Sequence, residues 1–341
     1  MEWSIEKIIN YQSDKLWGEG YFQFGFHDRN GNRYVIDHDN NRLGLLAGDG
    51  ESFDWSAGIE PLPGSETHIP LALDAPVYLG DYGDGTFIVS SYGNSKIYRI
   101  DPTNHSASVM IDGNKLGLND LHNCVPDLMG NIWIHGVKAN RVWCFNPQGE
   151  LLHTLGDGQP GFQPDIVAWE QVRFRKIFDL RQGPDGQIYV LDSGNFSVRK
   201  IDIDAQTVST LAGTGEPGYT GDGGAAKDAT FGGNPGADFD GPWSLSLDER
   251  GNIFVGDTQN GVVRMIIRET SVITTIAGRP NPVKGLRNNP AETDPHKLNF
   301  PLICSLDYYN GRLFIPEWDG DMVVLKSNLP DSKINLHRLE Q

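Results

Sequence analysis

Several things are scarce in this sequence. Only three cysteines occur in 341 residues, Cys124, Cys144 and Cys304. Their number is odd and no two stand in a CxxC spacing, so neither a disulfide framework nor a cysteine zinc motif is indicated. Basic residues are also few, 28 Lys plus Arg against 45 Asp plus Glu, a net charge of −17. A surface so acidic repels nucleic acid and anionic membranes, and neither is expected as a partner. No apolar run approaches the length of a transmembrane helix. The opening Met-Glu-Trp-Ser-Ile-Glu-Lys has no apolar h-region, so it does not read as a secretory signal. A cytoplasmic protein with reduced thiols is the resulting expectation. Helical periodicity is missing, as are the Gly-x-Ser-x-Gly elbow, a GxGxxG opening a helix and the P-loop.

What the chain does contain is glycine, proline and aromatics: 41 Gly, 20 Pro, 15 Phe, 11 Tyr and 8 Trp, with a hydrophobic fraction of 38%. This composition suits short strands joined by tight turns around a substantial core. One cassette recurs six times: a Gly-containing turn, an alternating strand, a polar turn and another strand. Copies run GNRYVIDHDNNRLGLL from Gly31, DGTFIVSSYGNSKIYRID from Asp84 and GNIWIHGVKANRVWCF from Gly130. The others are DGQIYVLDSGNFSVRKID from Asp185, GNIFVGDTQNGVVRMI from Gly251 and GRLFIPEWDGDMVVLK from Gly311. The turn glycines at 31, 85, 130, 186, 251 and 311 are spaced 54, 45, 56, 65 and 60 residues apart. Alternation of period two within each copy marks strands, and each interval accommodates about four of them. The expected fold is all-β, a single six-bladed β-propeller of four-stranded antiparallel blades. The blades fall near 11–50, 68–113, 116–156, 172–213, 239–278 and 298–341. The first blade shows no separate outer strand, because Arg42–Leu46 runs directly into Ala-Gly. Ser4–Ile9, within a possible ring-closing segment 1–10, and Lys333–Leu339 are two candidates for closing the ring.

The stretch LAGTGEPGYTGDGGAA (211–226), followed by Pro242-Trp-Ser-Leu-Ser-Leu-Asp248 and Gly251-Asn-Ile-Phe-Val-Gly-Asp-Thr-Gln-Asn260, resembles a bacterial NHL repeat. Leu46-Ala-Gly48 and Ile276-Ala-Gly278 repeat its junction. The resemblance covers nearly the whole chain and implies the propeller fold, which hosts many unrelated activities. Peptidyl-hydroxyglycine amidating lyases are NHL-type propellers similar to this one, and they hold zinc with channel-facing histidines. Here only His122 stands in that register, preceded by Leu121 where those enzymes have proline, and the slots in blades five and six are Trp243 and Ile303. That particular activity is therefore not expected. The ligand pattern of six-bladed calcium lactonases is not visible either.

Strand direction sorts the side chains between faces. Turns from the second to the third strand, and the links between blades, share a top face. His27 and His105 fall below, His153 and His337 at the periphery, His68 and His296 on the outer rim. His38, His122 and His135 fall on top. Alignment on the turn glycines puts His122 with Gln23, Val77, Phe178, Trp243 and Ile303 at the mouth of the central channel, an apolar funnel with a few polar groups. Tyr92, Lys138, Glu317 and Trp318 come from the turns above it.

Two functional readings follow. In one, the chain is a small-molecule enzyme of lyase, hydrolase or cyclase type, with His122, His135 and Glu317 as catalytic groups. Gln23, Tyr92, Lys138, Phe178, Trp243 and Trp318 then bind substrate. A divalent metal, zinc or calcium, is a candidate cofactor, with His38, His122 and His135 as candidate zinc ligands. In the other, the propeller presents its top face to a protein or peptide without catalysis. A chain made of one propeller tilts the balance toward the enzyme. The acids of the Asp-x-x-Asn turns, Asp192 and Asp257, are expected to cap backbone. Gly232–Gly241 is a glycine-rich insertion that serves either as a lid over the funnel or as a tolerated surface loop.

Overall fold

The computed structural model describes residues 3–10, 22–28, 30–47, 52–62, 64–233, 240–318 and 321–328. Six sheets, each built on four antiparallel strands, follow one another around a ring. Blade one begins at Phe22–His27, blade two at Pro76–Asp81 and blade three at Leu121–Pro126. The innermost strands of blades four, five and six are Ile177–Gln182, Ser244–Leu247 and Asp307–Tyr309.

The repeat dictates each reversal. All six turn glycines adopt the left-handed conformation, with φ between 76° and 85°, which only glycine occupies without strain. Asp28, Asp127 and Asp248 precede three of these turns and bond alike. One oxygen of each accepts the backbone N–H groups two and four residues on, and the other accepts the Asn32, Asn131 or Asn252 side-chain amide. These carboxylates are turn caps.

Between the turns, alternate apolar residues seal the joints between blades. Tyr34 of blade one meets Phe87 of blade two with ring centroids 4.6 Å apart, and Trp133 of blade three meets Trp169 in an edge-to-face contact at 5.7 Å. Each such side chain, fully buried, contributes about 1.5–3 kcal/mol.

Two findings concern the edges. Trp3–Asn10 pairs antiparallel with Asp321–Ser327 as the outermost strand of blade six, so the start of the chain closes the ring. The other candidate, Lys333–Leu339, lies outside the described residues, as does His337. The expectation that blade one lacks an outer strand is corrected: Phe53–Gly58 pairs with Arg42–Leu46, and Ser65–Pro70 adds a fifth strand in parallel. Its alternation (Phe53, Trp55 and Ala57 buried) is set apart from the preceding strand by glycines at 48 and 50, which disguise it in the sequence. The Ala47 N–H donates to the Ser52 carbonyl at 2.9 Å and draws the two strands together.

Candidate funnel at the propeller axis

The innermost strands do not keep strict alternation. Register shifts occur between Phe22 and Phe24, Pro76 and Tyr78, Leu121 and Cys124, and Ile177 and Asp179. A bulge of this kind turns two consecutive side chains toward the same side. His122 with Asn123, and Phe178 with Asp179, consequently line one cavity of about 590 Å³ at the top of the axis, within the range of small-molecule sites.

Each blade gives this funnel a ring. Blade one supplies Phe24 and His38, and blade two Tyr92. His122, Phe178, Trp243 and Trp318 come from blades three to six. Neighbouring rings touch: Tyr92 and His122 have centroids 5.1 Å apart, and Phe178 and Trp243 stack almost parallel at 5.5 Å. His38 stands edge-on to Trp318 at 5.7 Å, and its Nδ1 is 3.0 Å from the Pro76 carbonyl. Val77 lines the wall as the turn-glycine register requires. Ile303 does not. It is fully buried, while its neighbours Leu302 and Cys304 face the funnel. The segment there is an isolated bridge to Glu317, not a regular strand, so the register slips by one residue. The side chain of Gln23 lies outside the described residues.

Below the rings, a polar knot closes the channel. The Asn123 amide donates to Asp179, whose other oxygen accepts the Leu245 N–H at 2.8 Å. Arg181 pairs with Asp179 at 3.2 Å and donates to the carbonyls of Leu245 and Leu306 at 2.8 and 3.4 Å. Its guanidinium also lies over the rings of Phe26 and Tyr78, 5.2 and 5.6 Å from their centroids. Groups from all six blades therefore meet at this pair. Burial pushes the Asp179 carboxyl up to about 6, with Arg181 opposing the rise. Sequence reasoning missed Asn123, Asp179, Arg181, Lys176 and Cys304. The readable signal was Asp-Leu-Arg in an innermost strand, where two charges at alternate positions need each other.

The predicted catalytic residues separate. His122 edges the funnel, and burial depresses its pKa to about 3, with His38 adding to the effect. Its Nδ1 has no hydrogen-bond partner among the described residues. His135, expected in a top-face turn, instead lies within the second strand of blade three, Ile132–Gly136, and is fully buried behind His122, ring centroids 5.1 Å apart. The turn begins only at Val137, so strand alternation sends His135 inward. Its Nε2 accepts the Asn123 N–H at 3.4 Å, and burial, then His122, hold it well below the usual histidine range. Glu317 does not reach the funnel. It is 2% exposed and lines a neighbouring cavity of about 190 Å³ with Lys284 and Arg287. Burial first, then Asp321, push its carboxyl well above the usual range.

Lys138 and Lys176 stand at the rim on the side of blades three and four. Lys138 is exposed, and Lys176 lies 3.7 Å from Asp240. Tyr92 shares a hydrogen bond with Asp120, whose carboxylate also accepts the backbone N–H groups of Lys138 and Ala139. His38, His122 and His135 do not converge on one point: among the described residues no three His, Cys, Asp or Glu side chains are grouped to hold a metal ion. Asp192 and Asp257 cap their turns through Asn195 and Asn260. Asp222 of the repeat junction pairs with buried Arg264 at 2.7 Å. The Cys124 thiol is buried, and burial raises its pKa. The centre of the Gly232–Gly241 insertion, 234–239, lies outside the described residues.

With this geometry established, the chain can be placed among known proteins. No family model matches it. Over 104 residues it is 35% identical to NHL repeat-containing protein 2 of Homo sapiens, covering 30% of this chain and 14% of that one. The chain is an NHL-type six-bladed β-propeller. A longer match, 42% identity over 255 residues, is to Protein SUPPRESSOR OF QUENCHING 1, chloroplastic, of Arabidopsis thaliana, covering 68% of this chain and 22% of the relative. The matched part of this chain thus spans less than a quarter of either relative's length, so the argument for an enzyme from a chain made of one propeller carries no weight. Virginiamycin B lyase from Staphylococcus aureus superposes with a TM-score of 0.57 at 13% identity, over 96% of this chain and 100% of that one. At such identity the likeness shows the propeller fold alone. Among the described residues no helix is long and apolar enough to cross a membrane.

Proposed function

We propose that this propeller binds a compact organic molecule in its axial funnel, and that any chemistry performed there runs through His122. The observation that carries this reading is the blind funnel itself: about 590 Å³, ringed by aromatic side chains and stopped below by Asp179 and Arg181. The exposed apolar residues are distributed along the chain, among them Ile59, Leu116, Leu128 with Met129, Leu151 with Leu152, Ile166 and Val283.

The protonation states define the available chemistry. His135 and Glu317 do not line the funnel, so His122 is the one histidine of the proposed catalytic set that touches a bound molecule. With its pKa near 3, it is an uncharged hydrogen-bonding ring at neutral pH and a weak base. Lyase, hydrolase or cyclase chemistry would need the bound substrate to raise that basicity. The fold shared with virginiamycin B lyase supports the lyase class at the level of architecture only.

The test is a screen of compact organic compounds by thermal shift, on wild type, Trp243→Ala and His122→Ala. Hits are expected to stabilise wild type and to lose most of their effect in Trp243→Ala. Hits that stabilise Trp243→Ala as well as wild type would place binding elsewhere and end the funnel reading.

A further inference from the structure

The floor of the funnel uses only part of its guanidinium. Such a group offers five N–H donors in a planar fork. The Arg181 Nε donates to the Leu245 carbonyl at 2.8 Å, and its Nη2 is shared between Asp179 at 3.2 Å and the Leu306 carbonyl at 3.4 Å. Its Nη1 has no hydrogen-bond partner among the described residues, and it is not sealed inside the protein. The side chain is 14% exposed and lines the funnel. One edge of the fork therefore holds blades four, five and six together, and the remaining nitrogen is left to the cavity.

The charges around this donor come in pairs. Asp179 opposes Arg181, and both its oxygens are engaged, one by the Asn123 amide and the other by the Leu245 N–H. At the rim Lys176 lies 3.7 Å from Asp240, and the charge of Lys138 acts on Asp120. A ligand that carried a net charge to this floor would lose its hydration there and find the counter-charges already matched. An uncharged acceptor avoids that cost, and it gains a bond from a charged donor, stronger than one between two neutral groups. A carbonyl oxygen is such an acceptor, and it projects from the edge of its molecule. Above the floor the rings of Phe24, Phe26, Phe178 and Trp243 give apolar walls suited to an apolar body.

We infer that the funnel selects an uncharged carbonyl compound (a ketone, ester or lactone) whose oxygen accepts from Arg181 Nη1 while its apolar body fills the ring-lined walls. This inference rests on the funnel being the binding site and adds the group by which the ligand is recognised. Analogues of the same shape without the carbonyl keep the wall contacts and lose the floor contact, so the two are separable by experiment.

The probes are acetophenone and coumarin, compared at neutral pH with their carbonyl-free analogues α-methylstyrene and 2H-chromene and with the anion benzoate. Ligand-observed NMR gives dissociation constants for wild type, Trp243→Ala and the double variant Asp179→Asn with Arg181→Met, which removes both charges together and leaves no buried ion unpaired. In wild type each carbonyl compound is expected to bind about tenfold tighter than its analogue, and benzoate weaker than acetophenone. The double variant should still bind the analogues but lose the carbonyl preference. Trp243→Ala should weaken both members of each pair alike. On wild type alone, the carbonyl stretch of bound acetophenone should lie below its value in hexane. Analogues binding as tightly as the carbonyl compounds, benzoate binding tighter than acetophenone, a stretch at the hexane value, or a preference that survives in the double variant would overturn the inference. Failure of every probe to bind wild type at millimolar concentration would overturn it too. Equal binding within pairs that Trp243→Ala weakens would remove the carbonyl preference and keep the funnel. Affinities untouched by Trp243→Ala would end the funnel reading itself.

Discussion

At the scale of single residues, the buried carboxylates show how burial and bonding divide the control of charge. Asp257 is fully buried, accepting from the Gly232 N–H at 2.8 Å and the Asn260 amide at 2.8 Å, and burial still raises its carboxyl to about 6. The folded chain therefore keeps this proton to a higher pH than the unfolded chain, which releases it near 4. Its contribution to stability is complete below pH 4 and is lost as pH rises through 6. The difference in unfolding free energy between wild type and Asp257→Asn should fall by on the order of 2–3 kcal/mol from pH 4 to 6.5 and then level off. Urea titrations at a series of pH values measure it, and a difference that stays flat would contradict the assignment. His122 and His135 act in the opposite sense, since they are held neutral in the fold and protonate once unfolded. Their contribution is present above pH 6.5 and is lost on acidification, which is why the variant difference is more informative than the wild-type profile.

At the scale of elements, ring closure depends on eight residues. Trp3–Asn10 covers the edge of Asp321–Ser327, and it buries Trp3 against Phe254 at 5.4 Å together with Ile8 and Ile9. Without it, blade six presents an unpaired edge beside an exposed apolar strip, the arrangement that drives edge-to-edge association. Deletion of residues 1–10 should lower the thermal midpoint and produce concentration-dependent oligomers on size-exclusion chromatography. A monomer with an unchanged midpoint would show that the strand is dispensable. Ser4–Ile9 was readable as a closing strand because its alternation has no hairpin partner nearby. The outer strand of blade one was not readable, because glycines at 48 and 50 interrupt the chain where a reader looks for continuity.

At the scale of the molecule, the Asp179–Arg181 pair binds the ring at its centre. Arg181 reaches Phe26, Tyr78, Leu245 and Leu306, and Asp179 reaches Asn123 and Leu245. Arg181→Ala removes the only counter-charge Asp179 has among the described residues of the knot, and breaking a buried pair in this way typically costs about 3–5 kcal/mol. The loss should be largest above pH 7 and smaller at pH 5, where Asp179 can protonate, and Asp179→Asn in the same chain should recover part of it. Urea unfolding of the single and double variants decides the matter; equal losses at the two pH values would refute a charge-based role. The same pair makes the funnel blind, so stability and binding geometry share one device.

The sequence by itself determined the number of blades, the positions of the turn glycines and the ring that His122, Phe178 and Trp243 would join. Each of these follows from local rules: a left-handed turn needs glycine, and a strand alternates with period two. Tertiary structure decided which charged groups meet at the axis, that His135 lies behind His122, and that Glu317 faces a separate cavity. Those outcomes depend on bulges in the innermost strands and on contacts between blades far apart in sequence. A one-residue slip in such a strand moves a side chain from the funnel to the core, and no local pattern in the chain records it.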